Sequence, residues 1–360
     1  MTATISADGT ERRKKAAALT ASLLTWYDRH RRDLPWRARP GTSPDAYQVL
    51  VSELMLQQTT VATVSGRFGP FMDRFPTLEI LAKADEAEVL HAWQGLGYYR
   101  RARALHAAAR VVMRDHDGRL PGDVETLLTL PGVGDYTARA VASIAFDEPV
   151  LPVDGNGVRV LARAFAIDTP MPRAAALVGS LATAFEPCPR PSDLAQAVMD
   201  LGALVCRPRQ PNCLGCPWRR DCAGHRAGIA ETLPKRAPKA KRPLRQGVAF
   251  LLARSDGAIL FRRRPPDGLL GGLHELPTSR WQPAPLDREA ALNEAPLAAE
   301  WRFHDRPIRH VFTHFTLDLD LAEATAADAP PDGLWQAPDA LGALALPTLV
   351  KKLLRKAGRM

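Results

Sequence analysis

Leu130-Pro131-Gly132-Val133-Gly134-Asp135-Tyr136-Thr137-Ala138 is the stretch from which the fold follows. It lies between two runs with helical spacing, and its glycines permit a tight turn that other residues would strain. Beyond the turn a second helix opens, and its free backbone N–H groups can grip a phosphate without reading a base. Gly132, Val133 and Gly134 therefore read as the tip of a helix–hairpin–helix over 124–146, a sequence-independent clamp on DNA. The alternative is an ordinary turn between helices, since Pro-Gly is common in turns.

Working outward, residues 20–225 read as mostly helical with short Pro/Gly breaks. Ser43-Pro44 fits an N-cap followed by proline at the first helical position. Behind it Tyr47, Leu50, Val51, Leu54, Gln58 and Val61 share one helical face. Further helical stretches fall near 86–93, 100–114, 124–129, 136–146, 158–166, 173–185 and 192–204. Around 233–245 the pattern breaks: Pro234 to Arg245 holds six Lys/Arg, three Pro and no acid, an extended basic linker. After it the period changes to two. Gln246–Ala253 and Ala258–Arg263 read as strands joined by Ser255-Asp256-Gly257. Phe312 to Leu321 reads as a half-buried strand and 347–356 as a helix. The expected organisation is a basic tail over 1–17, a helical module over 18–232, the linker, and a smaller α+β module over 246–360.

The chain has 360 residues, 46% hydrophobic and 24% charged, which fits two or three globular domains rather than a disordered chain. Its net charge of +9 favours a polyanionic partner, although an anionic membrane surface fits charge alone. The tail carries Arg12, Arg13, Lys14 and Lys15 and lacks the apolar core of a signal peptide. No apolar run is long enough to span a bilayer. A cytoplasmic, nucleoid-associated monomer is expected, in a reducing compartment where cysteines serve metals or chemistry.

Cys206, Cys213, Cys216 and Cys222 read C-x6-C-x2-C-x5-C. Four thiolates in one short loop select zinc or an iron–sulfur cluster. Zinc usually wants two C-x2-C knuckles, and only Cys213–Cys216 is one. The spacing favours one 4Fe–4S cluster over zinc or a disulfide framework. Arg207 and Arg209 would point this loop at phosphates. Cys188 lies outside the pattern.

Two carboxylates stand out. Glu53, in Ser52-Glu53-Leu54-Met55-Leu56-Gln57-Gln58-Thr59, is an acid inside a largely apolar helix. Apolar neighbours would raise its pKa and suit it to general acid work; a surface Glu beside the stripe is the plain alternative. Asp154, in Val153-Asp154-Gly155-Asn156-Gly157, precedes Val158, Leu161, Ala162 and Phe165 as a helix N-cap would. Behind a DNA-gripping hairpin it also sits where a sugar C1′ could approach. Gly95-Leu96-Gly97-Tyr98-Tyr99-Arg100-Arg101 mixes aromatics with basic residues, as stacking on bases requires; a core Tyr pair with solvated arginines is the alternative.

Taken in order, S-E-L-M-L-Q-Q-T, G-L-G-Y-Y-R-R-A-R, L-P-G-V-G-D-Y-T-A, V-D-G-N and the cysteine set resemble the helix-hairpin-helix DNA glycosylases. Within these they resemble the adenine DNA glycosylases of the MutY type, over about residues 20–355, the linker excepted. The resemblance implies excision of adenine mispaired with 8-oxoguanine, and with guanine, in double-stranded DNA. It implies Glu53 as the proton donor to adenine N7 and Asp154 as the stabiliser of the cationic sugar, either as an ion pair or as a transient covalent adduct. Asn156 and Tyr136 would orient the two carboxylates and the nucleophile, Gln58 and Tyr98 would wedge into the duplex near the 8-oxoguanine, and Gln57 would contact the DNA. Endonuclease III-type relatives carry a Schiff-base lysine where this chain has Tyr136, so a glycosylase using water is expected.

The C-terminal module resembles the Nudix-like domain of the same family. Phe312-Thr313-His314 falls where the family has a loop that reads 8-oxoguanine. Gly268–Pro277 resembles its degenerate Nudix segment, with His274 where Trp or Tyr is usual. The acidic Nudix signature is missing, so little would hold Mg2+ and nucleotide hydrolysis is not expected. Gly157, where Val is common, departs from the pattern and weakens the first helical turn. The rival readings are an endonuclease III-like lyase acting on oxidised pyrimidines and a non-catalytic lesion-binding protein.

Overall fold

The computed structural model describes residues 9–186, 188–235, 242–265, 268–283, 285–326 and 333–360. Contacts divide it into two units, Met1–Ala84 with Ala104–Pro238 and Asp85–Arg103 with Lys239–Met360. The helices in chain order are α1 Gly9–His30, α2 Ala46–Leu56, α3 Val61–Arg74, α4 Leu78–Lys83, α5 Glu86–Ala92, α6 Arg100–Asp115, α7 Val124–Leu127, α8 Asp135–Phe146, α9 Gly155–Ala164, α10 Arg173–Ala182, α11 Pro191–Asp200, α12 Ala223–Arg226, α13 Arg288–Leu292 and α14 Thr348–Lys356.

In the first unit α2 is buried nearly all round, from Tyr47 through Met55. It packs against α3 and α8. That placement takes Glu53 out of water along with its apolar neighbours, so the surface alternative for this residue falls. The helix starts two residues later than Ser43-Pro44 suggested. Asp45 is the cap, accepting from the Gln48 N–H at 2.9 Å, because a carboxylate there reaches the free amide. It also stops at Leu56 rather than running to Val61, since Gln58 takes a left-handed φ of 55°. A second core joins α1, α9, α10 and α11 through Leu19, Leu23, Val158, Leu161, Val178 and Val198. Trp218 of the cysteine loop is buried in it and donates to the Leu19 carbonyl at 2.8 Å. The expected basic tail is helical from Gly9 onward, with Leu19 and Leu23 drawing α1 into this core.

Among the described residues of the second unit, seven strands form one sheet: β1 Leu244–Arg254, β2 Ile259–Arg263, β3 His274–Glu275, β4 Arg302–Phe303, β5 Ile308–Val311, β6 Thr316–Ala326 and β7 Leu334–Gln336. β1 runs parallel to β6 from Leu244↔Thr316 to Arg254↔Ala326. β1 and β2 form the expected antiparallel hairpin. Ala249 and Leu251 of β1 pack on the side of Leu349, Leu353 and Leu354 of α14, whereas Val248 and Phe250 pack with Ala291 of α13. Burial on both faces explains the nearly unbroken apolar run in β1. The strand expected over 312–321 begins only at Thr316; β5 and β6 are antiparallel, and Phe312 to Phe315 turn between them.

Asp85–Arg103 groups with the C-terminal chain rather than with the helical module that was to span 18–232. Its polar side chains satisfy carbonyls there: Gln94 Nε2 donates to Leu344 O at 2.7 Å, and Lys351 Nζ donates to Gln94 Oε1 at 3.0 Å. Arg103 donates to the Gly271 carbonyl. Of the expected linker, 236–241 lies outside the described residues.

Candidate active site and cysteine loop

The hairpin of α7 and α8 is built as its glycines required. Gly132 has a φ of +75°, and a Cβ there would lie 2.3 Å from the Ala104 Cβ. No other residue type fits that turn without moving α6. Gly134 caps α8 with extended backbone, so the first amides of α8 have no side-chain partner from the cap. Such amides are the donors an anion uses.

Tyr136, in the first turn of α8, donates its hydroxyl to Glu53 Oε2 at 2.8 Å. Glu53 is 4% exposed. Burial pushes its carboxyl up to about 7; the Asp154 charge adds to this, while the Tyr136 bond and the Arg37 charge oppose it. Burial and the two neighbouring carboxylates likewise raise the Tyr136 phenol well above its usual range, so it stays a donor. Glu53 lines a cleft with Arg32, Trp36, Arg37, Ser52, Gln196 and Met199.

Asp154 is the N-cap of α9. Its Oδ1 accepts from the Gly157 N–H at 2.6 Å and its Oδ2 from Asn156 Nδ2 at 2.9 Å. Gly157 thus serves the cap through its amide. A Cβ there would stand 3.3 Å from Val153 Cγ1, a tight fit. Asn156 Oδ1 in turn accepts from Arg159 Nη2 at 2.9 Å, and Arg159 also donates to the carbonyls of Gly202 at 2.7 Å and Cys206 at 2.8 Å. Gly202 makes this close packing possible, because a Cβ would fall 2.7 Å from Asn156 Cβ.

Cys206, Cys213, Cys216 and Cys222 are free thiols that line one small cavity together with Arg163. Arg163 is 2% exposed; its Nη1 donates to Cys206 Sγ at 3.3 Å and to the Arg207 carbonyl at 2.7 Å. Burial, and the other sulfurs to a smaller degree, push the Cys216 thiol up to about 12. Among the described residues no group of three or more His, Cys, Asp or Glu is set to hold a single metal ion. Arg207 and Arg209 are exposed on the loop.

The structure joins Glu53 to Tyr136 and Asp154 to Asn156. Gln57 Nε2 reaches Thr137 Oγ1 at 3.2 Å, and Gln58 is exposed on its left-handed turn. Tyr98, also left-handed with a φ of 47°, is exposed, and its hydroxyl lies 3.0 Å from Thr313 Oγ1. Phe312 stacks on Trp281 with centroids 6.0 Å apart, while Thr313 and His314 face solvent. The sequence reading missed Arg159, Arg163, Arg37 and Asp200, all tied into buried networks. Arg159 and Arg163 stand four apart on α9, and a pair of arginines on one face of an otherwise apolar helix was the available signal.

A family model described as HhH-GPD superfamily base excision DNA repair protein matches residues 51–182, and a NUDIX domain model matches 248–356. A solved structure titled as a thermostable thymine-DNA glycosylase superposes with a TM-score of 0.53 at 31% identity, over 61% of this chain and all of that one. Helical hairpin, a cleft holding the buried Glu53 and the cysteine loop thus define a DNA glycosylase of the HhH-GPD class. The human adenine DNA glycosylase (Homo sapiens) is 36% identical over 404 residues, covering 95% of this chain and 74% of the relative. That of Mycolicibacterium smegmatis is 45% identical over 242 residues, 66% of this chain and 81% of the relative. The chain belongs to the adenine DNA glycosylases of the MutY type. Among the described residues no helix is long and apolar enough to cross a membrane.

Proposed function

We propose that the enzyme hydrolyses the N-glycosidic bond of adenine mispaired with 8-oxoguanine, and with guanine, in duplex DNA, without cutting the backbone itself. The observation that carries this reading is a buried Glu53, raised to about 7 and held by Tyr136, opposed by a capped Asp154. The amides at Gly132, Val133 and Gly134 hold a phosphate, and adenine leaves the stack for the cleft at a cost of about a few kcal/mol. Glu53 gives its proton to N7. The bond from N9 to C1′ then breaks, and its electrons leave with the base. Asp154 faces the cationic sugar that remains, and water adds to C1′ and loses a proton. Asn156 fixes Asp154, and Tyr136 fixes Glu53. A phenol has no amine with which to form a Schiff base, so the reaction ends at the abasic site. Gln58 and Tyr98 wedge into the duplex, Gln57 contacts the DNA, and Phe312, Thr313 and His314 read the oxidised base.

The four cysteines suit one 4Fe–4S cluster. A single zinc ion needs its sulfurs about 2.3 Å from one point. Cys206, Cys213, Cys216 and Cys222 line one cavity and would supply the four thiolates that a 4Fe–4S cluster takes, and their spacing holds only one zinc-type knuckle. When bound, the cluster would fix the loop that carries Arg207 and Arg209 toward phosphates.

The test is base release from duplexes with adenine opposite 8-oxoguanine, guanine or thymine, read with and without alkali, alongside iron analysis. The expected result is release from the first two duplexes, strand breaks only after alkali, and about four irons per chain. Strand breaks without alkali would favour the lyase reading. A colourless, zinc-containing and fully active protein would overturn the cluster assignment.

A further inference from the structure

Asp200, the last residue of α11, is fully buried and carries an ion pair that the reaction scheme does not use. Its Oδ2 accepts from Arg37 Nη1 at 2.7 Å and its Oδ1 from Arg37 Nη2 at 2.8 Å, a two-pronged bond. Arg32 adds its Nε at 2.6 Å and its backbone N–H at 3.0 Å. A buried carboxylate survives only with such pairing, and these four donors supply it. The Arg37 side chain is 6% exposed and lines the same cleft as Glu53. Two guanidiniums and one carboxylate therefore form one hydrogen-bonded unit whose arginines line the cleft of Glu53.

We propose that Asp200 is a positioning residue that holds Arg37 at the base pocket and offsets its charge, and so sets the pH range over which Glu53 carries its proton. The proposal rests on Glu53 as the proton donor. The groups that bear on Glu53 are Tyr136 from α8, Asp154 from the cap of α9 and Arg37 from the segment before α2. Tyr27 from α1 and Asp193 from α11 lie further back, Tyr27 beside Arg37 and Asp200. Of these, Arg37 is the cation acting on Glu53, and Asp200 is its direct counter-ion. Neutral Asp200 would leave Arg37 uncompensated, favouring the Glu53 anion. Neutral Arg37 would do the reverse. Loss of packing alone has no reason to move a titration in opposite directions for the two members of one pair.

The experiment is single-turnover adenine release against pH for the full chain, its Asp200→Asn, Arg37→Gln and Arg37→Lys variants, on adenine opposite 8-oxoguanine. As a proton donor, Glu53 gives a rate that falls as pH rises through its pKa. Asp200→Asn should move the midpoint of that fall down by about one pH unit, and Arg37→Gln should move it up by a similar amount. Arg37→Lys keeps the charge and should stay near the parent midpoint. Should Asp200→Asn fail to fold, the upward shift of Arg37→Gln and its reversal by lysine still decide the matter. Unmoved midpoints, or shifts of both variants in one direction, overturn the proposal. Glu53→Gln in the same assay separates the two ideas: if it releases adenine, the proton-donor reading itself is wrong.

Discussion

Glu53 and Asp154 carry the same functional group in opposite surroundings. Glu53 is walled in on every side of α2 and receives one hydroxyl donor from Tyr136. Asp154 stands at the open end of α9, where two N–H donors converge on its oxygens and the helix N-terminus adds partial positive charge. Desolvation leaves a proton on the first near neutral pH. The second is built as an acceptor. In the mechanism proposed above, surroundings rather than residue type would divide the labour between acid and counter-charge.

The contrast breaks most visibly if the acid is removed. Glu53→Gln should keep mismatch binding yet lose adenine release by about a hundred- to ten-thousand-fold, because an amide has no proton to give. Single-turnover release beside a binding titration checks this. Asp154→Asn should lose about a hundred- to a thousand-fold through the missing counter-charge, with the Gly157 cap bond retained. Near-parent release by either variant sinks the role assigned to it.

The same contrast has a signature in stability. Burial raises Glu53 from 4.5 to about 7 in the folded chain. Its protonated form therefore stabilises the fold fully below the unfolded value, and this contribution is lost as pH rises through the folded one. Glu53→Gln should gain about 3 kcal/mol over the parent between a pH below 4.5 and a pH above about 7. Denaturant melts at the two ends of that range measure it. An unchanged difference would mean that Glu53 is not desolvated.

The hairpin, the cap at Asp154 and the gathering of four cysteines in one loop were legible because each rests on local features: glycine turns, a capping side chain, close spacing in the chain. Helix positions followed from spacing, and the boundaries that slipped did so for local reasons, Asp45 outcompeting Ser43 as cap and Gln58 ending α2 early. What stayed hidden is long-range. Nothing near Asp200 in the chain announces Arg32 and Arg37, which meet it across more than 160 positions. Nor does spacing disclose that Gln94 and Tyr98 bond residues of the C-terminal chain.

The smallest expected effect lies in the second unit. Thr313→Ala with His314→Ala should leave adenine release intact but narrow the preference for 8-oxoguanine over guanine by about 1–3 kcal/mol. An unchanged ratio of the two single-turnover rates would remove this loop from lesion reading.

The division between the two carboxylates is tested most directly by the pH dependence of single-turnover adenine release from about pH 5 to 9. The expected profile falls on the alkaline side with a midpoint near the Glu53 value of about 7, and Glu53→Gln shows DNA binding without release across the range. A rate that holds steady through the alkaline side, or release by Glu53→Gln, would contradict it.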